Sequence, residues 1–200
     1  MTIAAIVLAA GAGSRFGGGK LVARLDGRPI VEHVVDAARA AGLDPIVVVV
    51  PPTGELGDLD LGAVRLVTNE TPQEGLSSSV RLGLREVDGD PDVTAAVILP
   101  GDQPRVRPAT IATLLDASAE TSDMPFVVAR HLDDHSPNPV LARRSVWRLA
   151  DELAGDRGFG PVLSAHPELV HWIDIAGANP DVDTQADLAR LNRQARPDVS

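Results

Sequence analysis

The stretch "IAAIVLAAGAGSRFGGGK", residues 3–20, joins an apolar run to a glycine-rich turn. The run Ile3–Leu8 is typical of a buried strand. The turn after it combines many glycines with one arginine and one lysine, Arg15 and Lys20. Because successive backbone amides in such a turn can point at a common centre, they form a concave site for an anion. The stretch therefore predicts a strand followed by a phosphate-binding loop, with a glycine loop that binds nothing as the alternative.

Three other interpretations of this stretch fit its residues poorly. A dinucleotide-binding fingerprint needs glycine where Phe16 stands, and an acidic residue where the second predicted strand ends in Val50 and two prolines. A P-loop needs Ser or Thr after its lysine, but Leu21 follows Lys20. A signal peptide needs Lys or Arg before its apolar segment, and none precedes Ile3. We therefore expect the first strand of a cytoplasmic protein.

Charge and composition restrict the class of function. The formal net charge is −10, which disfavours a broad surface for nucleic acid or an anionic membrane. The sequence has no cysteine, which excludes disulfides, thiolate zinc sites and cysteine nucleophiles. No stretch approaches the roughly 20 apolar residues of a membrane-spanning helix. With three Phe, two Trp and no Tyr, the core must consist of aliphatic residues, which favours a parallel sheet covered by helices.

Apolar runs alternate with helical patterns along the chain. We predict strands at residues 3–8, 45–50, 63–67, 94–100, 125–129, 139–142 and near 168–175. We predict helices at residues 28–43, 76–87, 108–120, 145–154, 157–165 and 184–194. This alternation implies right-handed crossovers, so we expect an α/β fold with a mostly parallel sheet, in one domain over residues 1–200. Ligands of such sheets bind beyond the carboxyl ends of the strands. The candidate segments are therefore residues 10–20, 51–55, 69–79, 101–104 and 181–184.

The glycine loop and further motifs resemble one enzyme family. "LAAGAGSRFGGGK" (8–20), followed by "LDGRP" (25–29), resembles the opening of nucleotidyltransferases with a glycosyltransferase-A-like fold. "GLSSSVRLGL" (75–84), "LPGDQPRV" (99–106), "DVDTQADL" (181–188) and the segment 138–163 resemble the molybdenum-cofactor nucleotidyltransferases. "LAAG" (8–11) and "GDQP" (101–104) are similar to the cytidylyltransferase branch, whereas guanylyl-type members more often show "LAGG". The resemblance covers residues 3–191.

This resemblance implies a three-layer Rossmann-like fold and an enzyme that moves CMP from CTP onto a phosphorylated pterin, the molybdenum cofactor, with release of pyrophosphate. It implies catalytic roles for Arg15, Lys20 and Asp102, and Mg²⁺ or Mn²⁺ held by Asp102 and Asp183. The implied partners are a nucleoside triphosphate, with CTP favoured, a small phosphorylated acceptor and a molybdoenzyme that docks to receive the product. Neither nucleic acid nor a membrane is expected. The implied nucleotide-binding residues are Leu8, Ala9, Ala10, Gly11, Ala12, Gly13, Gly75, Ser77 and Ser78.

Nucleotidyl transfer depends on charge neutralisation and alignment more than on covalent help. An acceptor phosphate monoester is mostly dianionic near pH 7, because its second pKa is about 6, so no general base is required. We expect the amides of residues 11–13 to hold the β- and γ-phosphates of the triphosphate. Arg15 would pair with the departing pyrophosphate, and Lys20 would stabilise the charge that develops at the α-phosphate.

Several of these residues also have a purely structural interpretation. An aspartate just after a strand, such as Asp102, is common turn chemistry. The serines 77–79 are typical helix caps. Asp156 and Arg157 match a family motif on the acceptor side, or else form a salt bridge at a helix start. Asn138 stands where relatives usually show histidine, which puts acceptor recognition in question.

Other functions remain as alternatives. GTP with the same pterin, or another triphosphate with a sugar, polyol or phospholactate-type phosphate, would keep the chemistry and change the substrates. An accessory protein that binds the cofactor without catalysis would not need Arg15, Lys20, Asp102 and Asp183 together. An NAD-binding domain is disfavoured by Phe16 and by the missing acidic residue.

Overall fold

The computed structural model describes residues 2–11 and 13–194. In chain order its strands and α-helices are β1 (Thr2–Leu8), β2 (Arg24–Leu25), β3 (Arg28–Pro29), α1 (Ile30–Ala40), β4 (Ile46–Val50), β5 (Arg65–Thr68), α2 (Leu76–Asp88), β6 (Val93–Pro100), α3 (Pro108–Glu120), β7 (Phe126–His131), β8 (Val140–Arg143), α4 (Gly160–Ala165), β9 (Val170–Ile175) and α5 (Gln185–Arg193). Short 3-10 helices cover Lys20–Val22, Glu55–Asp58, Pro72–Glu74, Arg144–Glu152 and Pro167–Leu169.

Within the described residues, seven strands form one sheet in the order β5-β4-β1-β6-β8-β7-β9. β8 runs antiparallel to β6 and β7, and the other neighbouring pairs are parallel. The α/β class with a mostly parallel sheet is confirmed. The chain moves outward from β1 to β4 and β5, and α2 then returns it to β6 on the other side of β1. This reversal places a crevice at the carboxyl ends of β1 and β6, where open α/β sheets bind ligands.

Two apolar layers cover the sheet, and alternate residues of each strand point into one or the other. Ala5 and Val7 of β1 pack in the layer that contains α1 and α3. Ile6 and Leu8 pack in the opposite layer, which contains α2 and α4. Because both faces of the central strands are covered, their sequences are continuous apolar runs and do not alternate between apolar and polar residues. Every residue of β4 is buried for this reason.

Two predicted helices of the C-terminal half differ from the structure. The predicted helix at 145–154 is the 3-10 helix Arg144–Glu152. The predicted helix at 157–165 is shortened to α4, because Gly155 and Gly158 adopt positive φ values of 67° and 48° and form left-handed turns ahead of it. The hairpin of β2 and β3 was not predicted, since its strands have only two residues each. Over the described ranges, no helix is long and apolar enough to cross a membrane.

Candidate active site

A cleft with two lobes lies at the carboxyl edge of the sheet, beside β1 and β6. The first lobe has a volume of about 420 Å³ and is bordered by the glycine loop, the start of α2 and the aspartates 102, 156 and 183. The second lobe has a volume of about 580 Å³ and extends to the segment 51–54 after β4. The two lobes share the loop residues Ala10, Gly11, Gly13 and Lys20. The glycine loop therefore forms the common wall of both lobes.

Lys20 reaches the cleft because buried side chains anchor the glycine loop before and after its three consecutive glycines. Phe16 and Leu21 are 5% and 7% exposed and pack in the layer of α1 and α3. Between them, Gly17, Gly18 and Gly19 have φ values of 94°, 93° and 62°, a run that other residues adopt only with strain. Phe16 and Leu21, the residues that break the dinucleotide and P-loop patterns, are therefore the anchors of this loop.

The ammonium group of Lys20 binds two carboxylates from distant parts of the chain. Its Nζ lies 2.7 Å from Asp102 Oδ2 and 3.3 Å from Asp183 Oδ1. The Lys20 side chain is 12% exposed. Arg15 approaches from the solvent side, with one guanidinium nitrogen 2.9 Å from Asp183 Oδ2. The structure thus brings together all four charged residues predicted for the site.

The two carboxylates are held by different local devices. Asp102 lies in the turn that follows β6, where Gly101 donates its N–H to the Leu8 carbonyl at 2.9 Å. Asp183 precedes α5, whose N-terminus is fixed by a capping box between Thr184 and Asp187. Hydrogen bonds from Thr184 lower the pKa of Asp187. The amide of Val182, next to Asp183, donates to the Asp102 carbonyl at 2.9 Å, so the two turns are joined directly.

A network of hydrogen-bonded polar side chains connects the turns that carry Asp102 and Asp183. This network was not predicted from the sequence. Gln103 donates from Nε2 to Asp181 at 2.7 Å and to Ser136 at 3.1 Å, and accepts from Asn179 at 2.9 Å. Gln103 and Asn179 are 2% and 1% exposed. Burial raises the pKa of Asp181, and the neighbouring charges of Asp102 and Asp183 raise it further. "GDQP" contains Gln103, but its partners lie some 30 to 80 residues away, a pairing that spacing alone does not show.

The start of α2 is capped by a remote turn. The amide of Leu76 donates to Asp156 Oδ1 at 3.2 Å, and the amide of Ser77 donates to the Gly155 carbonyl at 3.0 Å. Gly75, the N-cap residue, has a φ of 88°. Asp156 therefore stabilises a helix start, but that of α2 and not that of the helix beside it. It also borders the first lobe of the cleft.

The serines of α2 point away from the cleft or lie at its edge. The single O–H of Ser78 lies within reach of two carbonyls, that of Gly75 at 2.8 Å and that of Thr71 at 3.2 Å, and Ser77 donates to that of Glu74 at 3.4 Å. The idea that serines cap this helix is wrong, because Gly75 is the N-cap residue. Ser79 borders the cleft. Nucleotide binding by Ser77 and Ser78 stays a prediction.

The other residues predicted to bind nucleotide lie along the end of β1, except Gly75 at the start of α2. Leu8 is buried, and its carbonyl is occupied by Gly101. Ala9 borders the second lobe, whereas Ala10, Gly11 and Gly13 border both. Gly75 borders the first lobe. Ala12 lies outside the described residues.

Gly75→Ala is expected to destabilise the protein by about 2–4 kcal/mol and to impair the site. A Cβ at this position would lie 2.5 Å from the Gly155 backbone carbon and 2.6 Å from Asp156 Oδ1, and the positive φ adds strain. Urea unfolding measures the loss. Gly89→Ala at the other end of α2 is the control, because no atom lies within 4 Å of its Cβ position and its φ is −67°. Equal stability of the two variants would contradict the role of Gly75.

Comparison with known proteins identifies the family. Residues 5–170 match the MobA-like NTP transferase domain. The chain belongs to this family. The bifunctional protein GlmU of Sorangium cellulosum is a more distant relative, 34% identical over an alignment 135 residues long that covers 63% of this chain. Those residues are 28% of the GlmU sequence, so this NTP transferase spans little more than a quarter of its curated relative.

Solved structures of similar chains share the whole fold. The Mycobacterium tuberculosis protein Rv0371c superimposes with a TM-score of 0.83 and 28% identity, over 97% of this NTP transferase and 99% of that chain. A structure of Rv0371c in complex with manganese gives a TM-score of 0.78 and 27% identity over the same shares. A nucleotidyl transferase from Methanothermobacter gives a TM-score of 0.73 and 26% identity, covering 96% of both chains.

The chemistry of the donor set fits a divalent cation that a nucleotide helps to hold. Asp102 and Asp183 direct carboxylate oxygens at one positive group, and carboxylates are the ligands that Mg²⁺ and Mn²⁺ prefer. Among residues 2–11 and 13–194, no group of three or more His, Cys, Asp or Glu side chains could hold a metal ion. Two carboxylates leave most of the coordination shell to phosphate oxygens and water, as is usual for Mg²⁺ at nucleotide sites.

Proposed function

We propose that this NTP transferase moves CMP from CTP onto the phosphate of a phosphorylated pterin, the molybdenum cofactor, and releases pyrophosphate. The observation that supports this most is the contact of Lys20 with both Asp102 and Asp183 at the end of the glycine loop. It brings the glycine loop, a partly buried positive charge and two carboxylates together at the edge of the crevice. Together, these groups can align a triphosphate and neutralise its negative charge.

In the proposed reaction, the amides of the loop 11–13 hold the β- and γ-phosphates. Lys20 stabilises charge on the α-phosphate as the acceptor oxygen attacks phosphorus and the bond to pyrophosphate breaks. Arg15 is three-quarters exposed, so its guanidinium can turn from Asp183 to the departing pyrophosphate. Asp102 and Asp183 would hold Mg²⁺ or Mn²⁺, which supplies further neutralisation of phosphate charge when bound.

The second lobe is the proposed site of base and ribose. It is bordered by Leu21, Val22 and the segment 51–54, a mainly apolar wall that suits the faces of a base. Ala10 is 3% exposed and lies where the two lobes meet. Alanine at this position, which the resemblance associates with cytidylyl-type members, supports CTP over GTP. GTP is the second candidate nucleotide.

The setting of the reaction is part of the same proposal. We infer one catalytic domain over residues 1–200, acting in the cytoplasm and passing its product to a molybdoenzyme that docks on it. The net charge of −10 supports small-molecule substrates over nucleic acid.

A screen of CTP, GTP, UTP and ATP, each with Mg²⁺ or Mn²⁺, tests the proposal. CTP is expected to raise the melting temperature most, because a ligand stabilises the folded state according to its affinity. CTP is also expected to give pyrophosphate release with the phosphorylated pterin and not with sugar or polyol phosphates. Ala10→Gly is expected to shift the preference several-fold towards GTP. If the wild-type protein prefers GTP, or turns over only with a sugar phosphate, the proposed substrates are wrong.

A further inference from the structure

Arg81 connects the start of α2 to the turn that follows the 3-10 helix Arg144–Glu152. It lies five residues after Leu76, the first residue of α2, and long side chains of a helix lean towards its N-terminus. One terminal nitrogen of its guanidinium donates to the Leu153 carbonyl at 2.7 Å, and the other lies 3.4 Å from Glu74 Oε2. The Arg81 side chain is 21% exposed. A charged donor at such a short distance makes a strong hydrogen bond.

Two further hydrogen bonds join the same turn to α2 at the edge of the cleft. The amide of Leu76 donates to Asp156 Oδ1 at 3.2 Å, and the amide of Ser77 donates to the Gly155 carbonyl at 3.0 Å. These two bonds already satisfy amides that a helix start leaves without a partner. Of the three contacts, only that of Arg81 comes from a side chain of α2. A substitution at this position therefore removes it and leaves the cap in place.

The turn 153–156 carries one carboxylate to the first lobe of the cleft, that of Asp156. Leu153 is 4% exposed and packs in the apolar layer of α2, whereas Gly155 and Asp156 are exposed. Gly155 has a φ of 67°, so the chain turns sharply between the buried anchor and the carboxylate. Asp156 Oδ1 accepts from Leu76, and within residues 2–11 and 13–194 the other carboxylate oxygen makes no hydrogen bond. That oxygen can accept from a ligand.

Arg81 itself does not touch the cleft. The start of α2 contributes Gly75, Leu76 and Ser79 to the wall of the first lobe, and Arg81 borders neither lobe. Arg81 borders instead a separate groove of about 360 Å³ between α2 and the 3-10 helix Arg144–Glu152. Any effect of Arg81 on the reaction must therefore pass through the turn that it holds.

We propose that Arg81 is a positioning residue for the acceptor, because it holds the turn 153–156 so that Asp156 borders the first lobe. This inference rests on the proposed function, in which base and ribose occupy the second lobe and the first lobe is left to the phosphates and the acceptor. A carboxylate accepts hydrogen bonds from N–H groups, which the amino-oxo heterocycle of a pterin carries. Arg81 fixes where this carboxylate lies, and a small displacement of a group that orients a substrate has a large effect.

Arg81→Met is expected to raise the KM for the phosphorylated pterin about tenfold, and to leave kcat and the KM for CTP within about twofold of wild type. Methionine keeps an unbranched apolar stem and removes the donors, and the ion pairs of Lys20 do not involve the turn. Arg81→Lys retains one charged donor and should recover part of the acceptor affinity. Arg85→Met is the matched control, because Arg85 lies one turn further along α2, is 73% exposed and pairs only with Asp151 at 3.6 Å. Steady-state kinetics with each substrate varied in turn measure these constants.

A double-mutant cycle tests whether Arg81 acts through Asp156. Asp156→Ala is expected to raise the acceptor KM by itself. Adding Arg81→Met should then raise it by less than about twofold more, because the carboxylate that Arg81 positions is already gone. Effects that multiply in full would overturn the inference. A lower melting temperature of Arg81→Met without a change in acceptor KM would assign Arg81 to stability alone, and would overturn it as well.

The outcomes separate this inference from the proposed function. A normal acceptor KM in Arg81→Met, with CMP transfer intact in wild type, refutes the positioning role and leaves the function standing. If wild type does not transfer CMP to the pterin, the proposed function fails. Hydrogen exchange of the Leu76 and Ser77 amides then decides whether Arg81 holds the turn. Faster exchange in Arg81→Met than in Arg85→Met supports the role for whichever acceptor enters the first lobe, and equal exchange refutes it.

Discussion

Asp102→Asn is expected to reduce pyrophosphate release at least a thousandfold, or about 4 kcal/mol of transition-state stabilisation, in a protein that remains folded. The amide keeps the shape of the side chain and removes its charge. Lys20 then loses its 2.7 Å ion pair, and the proposed cation site loses one of its two carboxylates. The turn itself depends on backbone hydrogen bonds of Gly101 and Val182, which the substitution leaves in place.

Pyrophosphate release with saturating CTP, pterin phosphate and Mn²⁺ measures this effect, and the melting temperature shows whether the fold is kept. Asp123→Asn is the control, since it removes one exposed carboxylate in the turn between α3 and β7. If the Asp102→Asn enzyme shows near-normal turnover, Asp102 serves only to stabilise the turn after β6 and has no catalytic role. Loss of the melting transition would instead show a structural role.

Elements fully covered by neighbours were predictable from sequence, and those built by short turns were not. β1, β4 and β6 are buried on both faces, so their apolar runs identify them without knowledge of the partners. The antiparallel direction of β8 has no such signal, because a strand of four residues looks the same in either direction. The residues 155–158 carry helix-forming neighbours, but two glycines with positive φ turn them into the cap of α2.

The segments that carry the charged centre were predictable because they lie beyond predicted strands and in a glycine loop, whereas the roles of Arg15, Lys20, Asp102 and Asp183 were implied by the resemblance to a family. One sequence signal strengthens it: Lys20 is the only lysine of the chain, whereas 17 other basic residues are arginine. The compact ammonium of Lys20 contacts both carboxylates through one nitrogen, whereas a guanidinium donates through a fixed planar fork. The supporting set around Gln103 was not predictable, because hydrogen bonds between residues far apart in sequence depend on the packing of whole turns.

Lys20→Met is expected to lower pyrophosphate release a hundredfold or more and, in contrast to Asp102→Asn, to strengthen binding of Mn²⁺ in the absence of nucleotide. In the proposed site, a divalent cation would compete with the ammonium for the oxygens of Asp102 and Asp183 that Lys20 contacts. Once the ammonium is gone, the two like charges repel each other and favour a cation more strongly. The catalytic loss and the gain in metal binding therefore have one cause.

The shift of melting temperature with MnCl₂ measures the gain, and the pyrophosphate assay measures the loss. Mn²⁺ should raise the melting temperature of Lys20→Met more than that of wild type, and that of Asp102→Asn less. Arg148→Met, which removes an exposed positive charge from the 3-10 helix Arg144–Glu152, should leave both readouts unchanged. Lys20→Arg keeps the charge and should recover only part of the activity, because a rigid planar fork replaces the single nitrogen that contacts both carboxylates. Equal Mn²⁺ responses in Lys20→Met and wild type would mean that the cation binds elsewhere, and Asp102 and Asp183 would then serve only to position Lys20.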